Sequence, residues 1–277
     1  MEEPSSPGTN PVDMKDCIEE MLKFTLDSHI KETLEFDLGL SKDFRSLLLE
    51  DSQCHTDCVD KDLQYPLYKL LASSLYESIA SGAFCGRESE MASLKENDVL
   101  LSERKEDDKS KQKQKWLDLI LDRGFEILNI LKSINFELHV QEPFFTQLRD
   151  GHKTVEGRCA TGDYNRIESG SSILFNKCVV HEVQEVRRYA SFHEMLESEG
   201  LAKVLPGVKT TDRGVQVYRN FYTEEKERSN GVLAICVAKC PSQPYFLLAE
   251  ILSGLRCDGV DYLLGLSHQV GTRSRDF

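Results

Sequence analysis

Lys153, Glu156 and Arg158 fall inside the stretch Gly151-His152-Lys153-Thr154-Val155-Glu156-Gly157-Arg158. A lysine can hold a phosphate or, with its pKa lowered by its surroundings, act as a base. A glutamate and an arginine two positions apart can pair across a pocket or hydrogen-bond the edge of a nucleobase. On a strand, Lys153, Val155 and Gly157 share one face, and Thr154, Glu156 and Arg158 share the other. Unpaired charges are costly to bury. The segment therefore reads either as a solvated edge strand or as the wall of a polar cleft, and composition alone favours the edge strand.

The elements around it change character along the chain. Residues 1–12 are rich in Pro, Ser and Gly and are expected to be disordered. From Asp13, Cys17, Ile18, Met21, Leu22, Leu26, Ile30 and Leu34 recur at helical spacing, and Gly39 follows the end. Ser41 is placed to cap a shorter helix bearing Phe44, Leu47 and Leu48. Pro66 suits the first turn of another, with Leu67, Leu70, Leu71, Leu75 and Ile79 before Gly82. These make 13–85 a helical region. Residues 86–112 are charged and poor in large apolar side chains, and read as a linker. The segment 113–137 reads as a helix, with Trp116, Leu119, Ile120, Ile127, Leu128 and Leu131 closing an N-terminal bundle.

After Asn135 the pattern turns to strands with inserted helices. Strands are expected at Glu137–Val140, Thr154–Gly157, Ser171–Asn176, Val179–Val186 and Val232–Ala238. Helices are expected at Pro143–Arg149, after a Ser191 cap, and at Thr211–Phe221. Without a regular strand–helix–strand repeat this describes a small mixed barrel. The predicted class is α+β, a helical N-terminal region followed by a mixed barrel over 138–240. The apolar run Tyr245–Leu252, within a C-terminal extension over 241–277, is expected to pack back on the body.

Charge divides along the same line. The chain carries −13 overall, and nearly all of the acidic excess lies before residue 138. The 138–240 segment is balanced, so a polyanionic partner would have to meet a local basic patch there. Lys153, Arg158, Arg166, Arg187, Arg188, Lys203, Lys209, Arg213 and Arg219 supply the cations, with Tyr164, Tyr189, Tyr218 and Tyr222 interleaved. Stacking aromatics beside phosphate-binding cations suit single-stranded RNA. The apolar runs are far shorter than a membrane span, and Met1–Gly8 is acidic with no apolar core, unlike a secretory signal. Nine cysteines, an odd number, fit a reducing compartment, cytoplasmic or nuclear.

The piece Phe144-Phe145-x-x-Leu148-x-x-Gly151-x-Lys153-Thr154-Val155-Glu156-Gly157-Arg158 resembles the signature of the ASCH domain, a PUA-like β-barrel family associated with RNA. Gly170–Phe175, Ser191–Pro206, Tyr218–Tyr222 and Gly231–Val237 resemble later pieces of that family in the same order, with Ser171 at a position where the family carries aspartate. The whole architecture is similar to that of plant ASCH-domain proteins. The resemblance implies RNA binding, to single strands or a modified nucleoside, in a cleft lined by Lys153, Thr154, Glu156, Arg158 and Tyr222. In this reading Glu199 orients Lys153. Roles in RNA metabolism or transcriptional coactivation go with it.

Small bacterial members resembling this domain hydrolyse N4-acylcytidines with a lysine, a threonine and a glutamate. The lysine and glutamate correspond to Lys153 and Glu199, which are the catalytic candidates if the protein is an enzyme. The threonine position holds Glu156, a poor substitute for a hydroxyl nucleophile, so the balance tips away from catalysis. A ribonuclease resemblance leads to the same cleft. A third reading makes the N-terminal helices a docking surface for a protein partner. No cofactor or metal is implied. Cys54-His55-x-x-Cys58 and Cys236-x-x-x-Cys240 are not clean zinc knuckles, and Leu67–Leu71 and Lys109–Lys115 are weak docking and nuclear-import patterns.

Overall fold

The computed structural model describes residues 8–9, 12–33, 36–50, 66–85 and 99–266. The Cys54-His55-x-x-Cys58 motif and most of the 1–12 stretch lie outside them. The chain forms two compact units, one of residues 14–128 and 245–277, the other of residues 1–13 and 129–244.

The helical unit contains α1 (Met14–Ile30), α2 (Lys42–Leu49), α3 (Leu67–Ser81), most of α4 (Val99–Lys132) and nearly all of α10 (Pro244–Leu264). The Ser41 side chain caps α2 by accepting from the Phe44 amide. Gly82 closes α3 in the left-handed conformation, where an L side chain would be strained. Ile18, Met21 and Leu22 of α1 join Leu71 and Leu75 of α3, Ile120 and Ile127 of α4, and Ile251 and Leu252 of α10 among the buried apolar side chains. A Cβ at Gly124 would lie 2.5 Å from Ile79, so glycine lets α4 approach α3 closely. Leu71 is buried and Leu67 and Leu70 are half-buried, which accounts for the Leu-x-x-Leu-Leu pattern by packing.

Two boundaries differ from the sequence reading. Helix α4 begins at Val99, inside the stretch read as a linker. Lys, Glu and Gln are good helix formers, so a shortage of large apolar residues there does not exclude a helix. The C-terminal apolar run is part of α10, which belongs to the helical unit. Among the described residues, no helix is long and apolar enough to cross a membrane.

The second unit is a curled, mixed six-stranded sheet. Its strands are β1 (Gly8–Thr9), β2 (Phe136–Leu138), β3 (Val155–Cys159), β4 (Ser172–Phe175), β5 (Val179–Tyr189) and β6 (Val232–Lys239), in the order β1-β2-β4-β5-β6-β3. Gly8 and Thr9 thus pair with β2, within the stretch expected to be disordered. Only β2 and β4 run parallel. β5 is long enough to pair with β4 at its start and with β6 along its length, interrupted by a bulge between Val183 and Glu185.

The inserted helices are α5 (Phe144–Arg149), α6 (Phe192–Glu199), α7 (Leu201–Val204), α8 (Thr211–Arg219) and α9 (Glu224–Asn230). Ser191, Thr210 and Thr223 cap α6, α8 and α9 with their side chains. Helix α9 is wholly polar in sequence and has no apolar period to betray it. The core joins Val155 and Cys159 of β3 and Val232 and Ala234 of β6 to Phe192, Met195 and Leu196 of α6 and Tyr218 of α8. Phe192 and Tyr218 stack at 4.0 Å, 9° from parallel.

Candidate nucleic-acid interface

β3 is an edge strand, as composition favours, yet all five of its residues are buried. Its side chains alternate. Val155, Gly157 and Cys159 lie opposite Cys236, Ala234 and Val232, while Glu156 and Arg158 lie opposite Ile235 and Leu233. At Gly157 the core leaves no room, since a Cβ would stand 2.4 Å from the Tyr218 hydroxyl and 2.8 Å from Met195 Cε.

The charges of the motif are sealed in and satisfy one another. Lys153 is 2% exposed, Glu156 6% and Arg158 5%. Lys153 Nζ donates to the carbonyls of Val155 at 2.7 Å and Val204 at 2.5 Å, and lies 3.0 Å from Glu156 Oε2. Arg158 Nε sits 2.8 Å from Glu156 Oε1, and its Nη2 donates to the His139 carbonyl at 2.6 Å. Burial draws the Lys153 ammonium below its ordinary pKa, against the pull of Glu156. Burial alone would push the Glu156 carboxyl up; Lys153 and Arg158 together overcome it and hold the carboxyl below its ordinary value. A carboxylate between two buried cations is a charged clamp, and its three members have little capacity left for a ligand.

Glu199 keeps different company. Both its oxygens accept from Arg187 Nη1, at 2.9 and 2.7 Å, and Oε1 also accepts from the Tyr189 hydroxyl at 2.6 Å. Arg187 pairs with Ala234 and Tyr189 with Val232, which puts both on the Gly157 face of the sheet, opposite the Glu156 face. The expected role of Glu199 in orienting Lys153 is corrected: Glu156 does so. Strand alternation alone would put Lys153 on the Gly157 face, but β3 begins at Val155 and Lys153 precedes it, so its ammonium reaches Glu156 instead.

Of the remaining candidates, Thr154 is half-buried and its amide donates to the Lys203 carbonyl at 3.0 Å. Tyr222 is 4% exposed, and burial pushes its phenol above its ordinary pKa. Tyr164 and Tyr218 are also buried. These tyrosines are core, and none offers a free stacking face.

The long basic strip read from sequence sorts by partner. Arg166 meets Asp163, Arg187 meets Glu185 and Glu199, Arg219 meets Glu227, and Arg188 donates to Asn165. Lys203, Lys209 and Arg213 are exposed and, among the described residues, have no carboxylate partner. They share one segment, and that segment is tied to the motif strand. The Thr154 amide bonds the Lys203 carbonyl, Lys153 Nζ the Val204 carbonyl, and Gln147 Nε2 the Pro206 carbonyl at 3.0 Å. Lys153 and Gln147 therefore position the segment that carries the free cations. The contribution of Gln147 had no signal in the sequence, since its partner is a backbone carbonyl 59 residues away.

A curled mixed sheet with helices inserted between its strands makes this an α+β unit consistent with a PUA-like domain. The ASCH domain family matches residues 138–241. The crystal structure of hypothetical protein PH0355 is 41% identical, with 38% of this chain and 97% of that chain covered and a TM-score of 0.37. The solution NMR structure of protein PF0455 from Pyrococcus furiosus is 42% identical over 38% of this chain and 97% of that one, with a TM-score of 0.35. No curated protein matches the chain. Residues 138–241 are thus an ASCH domain, a domain generally linked to RNA binding.

Proposed function

We propose that the 138–241 domain binds single-stranded RNA, with Lys203, Lys209 and Arg213 contacting phosphates. The observation that supports this reading is the exposure, in one short segment, of three cations with no carboxylate partner among the described residues. In a domain whose other arginines are largely paired, these are the charges available to a polyanion. Lys153 acts as a positioning residue: its ammonium holds the Val204 carbonyl and fixes the backbone between Lys203 and Leu205. A role in RNA metabolism or transcriptional coactivation would rest on such binding. Lys153 and Glu199, the pair that amide hydrolysis would draw on, each have other partners.

The test is binding of a single-stranded RNA to the full chain across a salt series. Affinity falls as salt rises, and it weakens when Lys203, Lys209 and Arg213 are replaced by alanine. Lys153→Met should also weaken binding, through a loosened 203–206 segment that exchanges its amide protons faster. Salt-independent binding, or none at low salt, refutes the reading.

A further inference from the structure

Within the helical unit, and independent of the RNA reading, three aromatic rings from separate elements converge. Phe84 lies just past the Gly82 cap of α3, Trp116 on α4, and Tyr262 near the end of α10. Ring centroids are 5.3 Å apart for Phe84–Tyr262, 6.2 Å for Phe84–Trp116 and 6.5 Å for Trp116–Tyr262, with interplanar angles of 41°, 23° and 41°. All three side chains are half-buried, so the trio is packed at its base and open to solvent. Trp116 is seated there by Gly259, where a Cβ would come 3.1 Å from its ring.

One ring of the trio already holds a cation. Lys113, one turn before Trp116, places Nζ 4.2 Å from the centre of the Tyr262 ring, well inside the distance at which a ring face attracts an ammonium. The geometry of a lysine stem ending on the Tyr262 ring is thus present in the chain itself. Lys113 is tethered, so its effective concentration at the rings is on the order of millimolar. An unmodified lysine from another protein offers the same strongly hydrated ammonium and gains nothing over it. A methylated ammonium spreads its charge over methyl groups, loses less hydration on leaving water, and is the cation that aromatic cages favour.

We propose that Phe84, Trp116 and Tyr262 form a recognition site for a methylated lysine side chain of a partner protein, with Lys113 as the displaceable occupant in the free protein.

Trp116 is the one tryptophan in the chain, so its fluorescence reports on the site directly. The full-length protein is titrated with Nε-trimethyl-lysine, with lysine and with uridine monophosphate at matched ionic strength. The proposal expects a saturable change with trimethyl-lysine at concentrations about tenfold or more below any response to lysine. Lys113→Ala removes the competitor and tightens binding by about fivefold, and Tyr262→Ala abolishes it. Should Tyr262→Ala fail to fold, Phe84→Leu, in the segment after α3, is expected to weaken binding by about threefold or more. The proposal is overturned by a linear, non-saturating signal or by equal responses to lysine and trimethyl-lysine. Weaker binding in Lys113→Ala overturns it as well, as does saturation by uridine monophosphate alone, which would make the trio a base-stacking surface.

Discussion

The strand Val155–Cys159 with Lys153 before it and the segment from Lys203 to Arg213 both owe their interest to basic side chains, and the fold treats them in opposite ways. Lys153 and Arg158 are buried against Glu156 and backbone carbonyls. Lys203, Lys209 and Arg213 stand in solvent and, among the described residues, have no carboxylate partner. The buried cations spend their hydrogen bonds inside the protein, while the exposed ones keep theirs for something else. In the proposed reading the charge-rich signature is therefore not itself the contact surface; it braces the segment that is.

That contrast predicts unequal responses to substitution. The largest is Glu156→Ala, which leaves two buried cations without their carboxylate and should cost about 3–5 kcal/mol, read as a fall in the denaturation midpoint. A cost within about 0.5 kcal/mol, as for a surface site, would put Glu156 in the solvated class. The acid sensitivity should follow the same residue. The folded-state pKa of Glu156 is depressed, so its contribution is complete above the unfolded carboxyl pKa of about 4.3. It is lost as pH falls through the lower folded value. Glu156→Gln should flatten the stability curve in that acid window.

Next comes His181, buried at 2% exposure beside Phe175. Burial pushes its pKa down to about 4, against a hydrogen bond with the Leu148 backbone. The unfolded chain binds this proton first, so stability is lost as pH falls from about 6.5 to 4, by on the order of 3 kcal/mol. An imidazole NMR titration with its midpoint near 6.5 would contradict this.

Gly157→Ala should cost about 1–3 kcal/mol by overpacking Tyr218 and Met195, measurable in the same melts. The smallest stability effect belongs to the exposed segment. Lys203→Ala, Lys209→Ala and Arg213→Ala should each stay within about 0.5 kcal/mol, and any large loss would show that segment to be structural.

Much of the fold was legible locally. Ser41, Ser191 and Gly82 mark helix ends by their own chemistry, and the alternation along Val179–Val186 announces a strand that the structure extends to Tyr189. The motif Gly151–Arg158 and the pieces after it were enough to indicate the ASCH family. Its burial was not legible. The carbonyls that accept from Lys153 and Arg158 include those of Val204 and His139, 51 and 19 residues away, and backbone carbonyls leave no trace in a sequence. Nor could the sequence separate Lys203, Lys209 and Arg213 from Arg187 and Arg219. What distinguishes them is whether a distant carboxylate, Glu199 or Glu227, happens to face them.

The most direct test of the account is the salt dependence of single-stranded RNA binding by the wild-type chain and by the combined Lys203→Ala, Lys209→Ala and Arg213→Ala variant. Three lost phosphate contacts should lower the slope of log affinity against log salt by about 2, with the melting temperature unchanged. An identical slope and affinity in the folded variant would contradict the assignment of these three cations as the RNA-contacting charges.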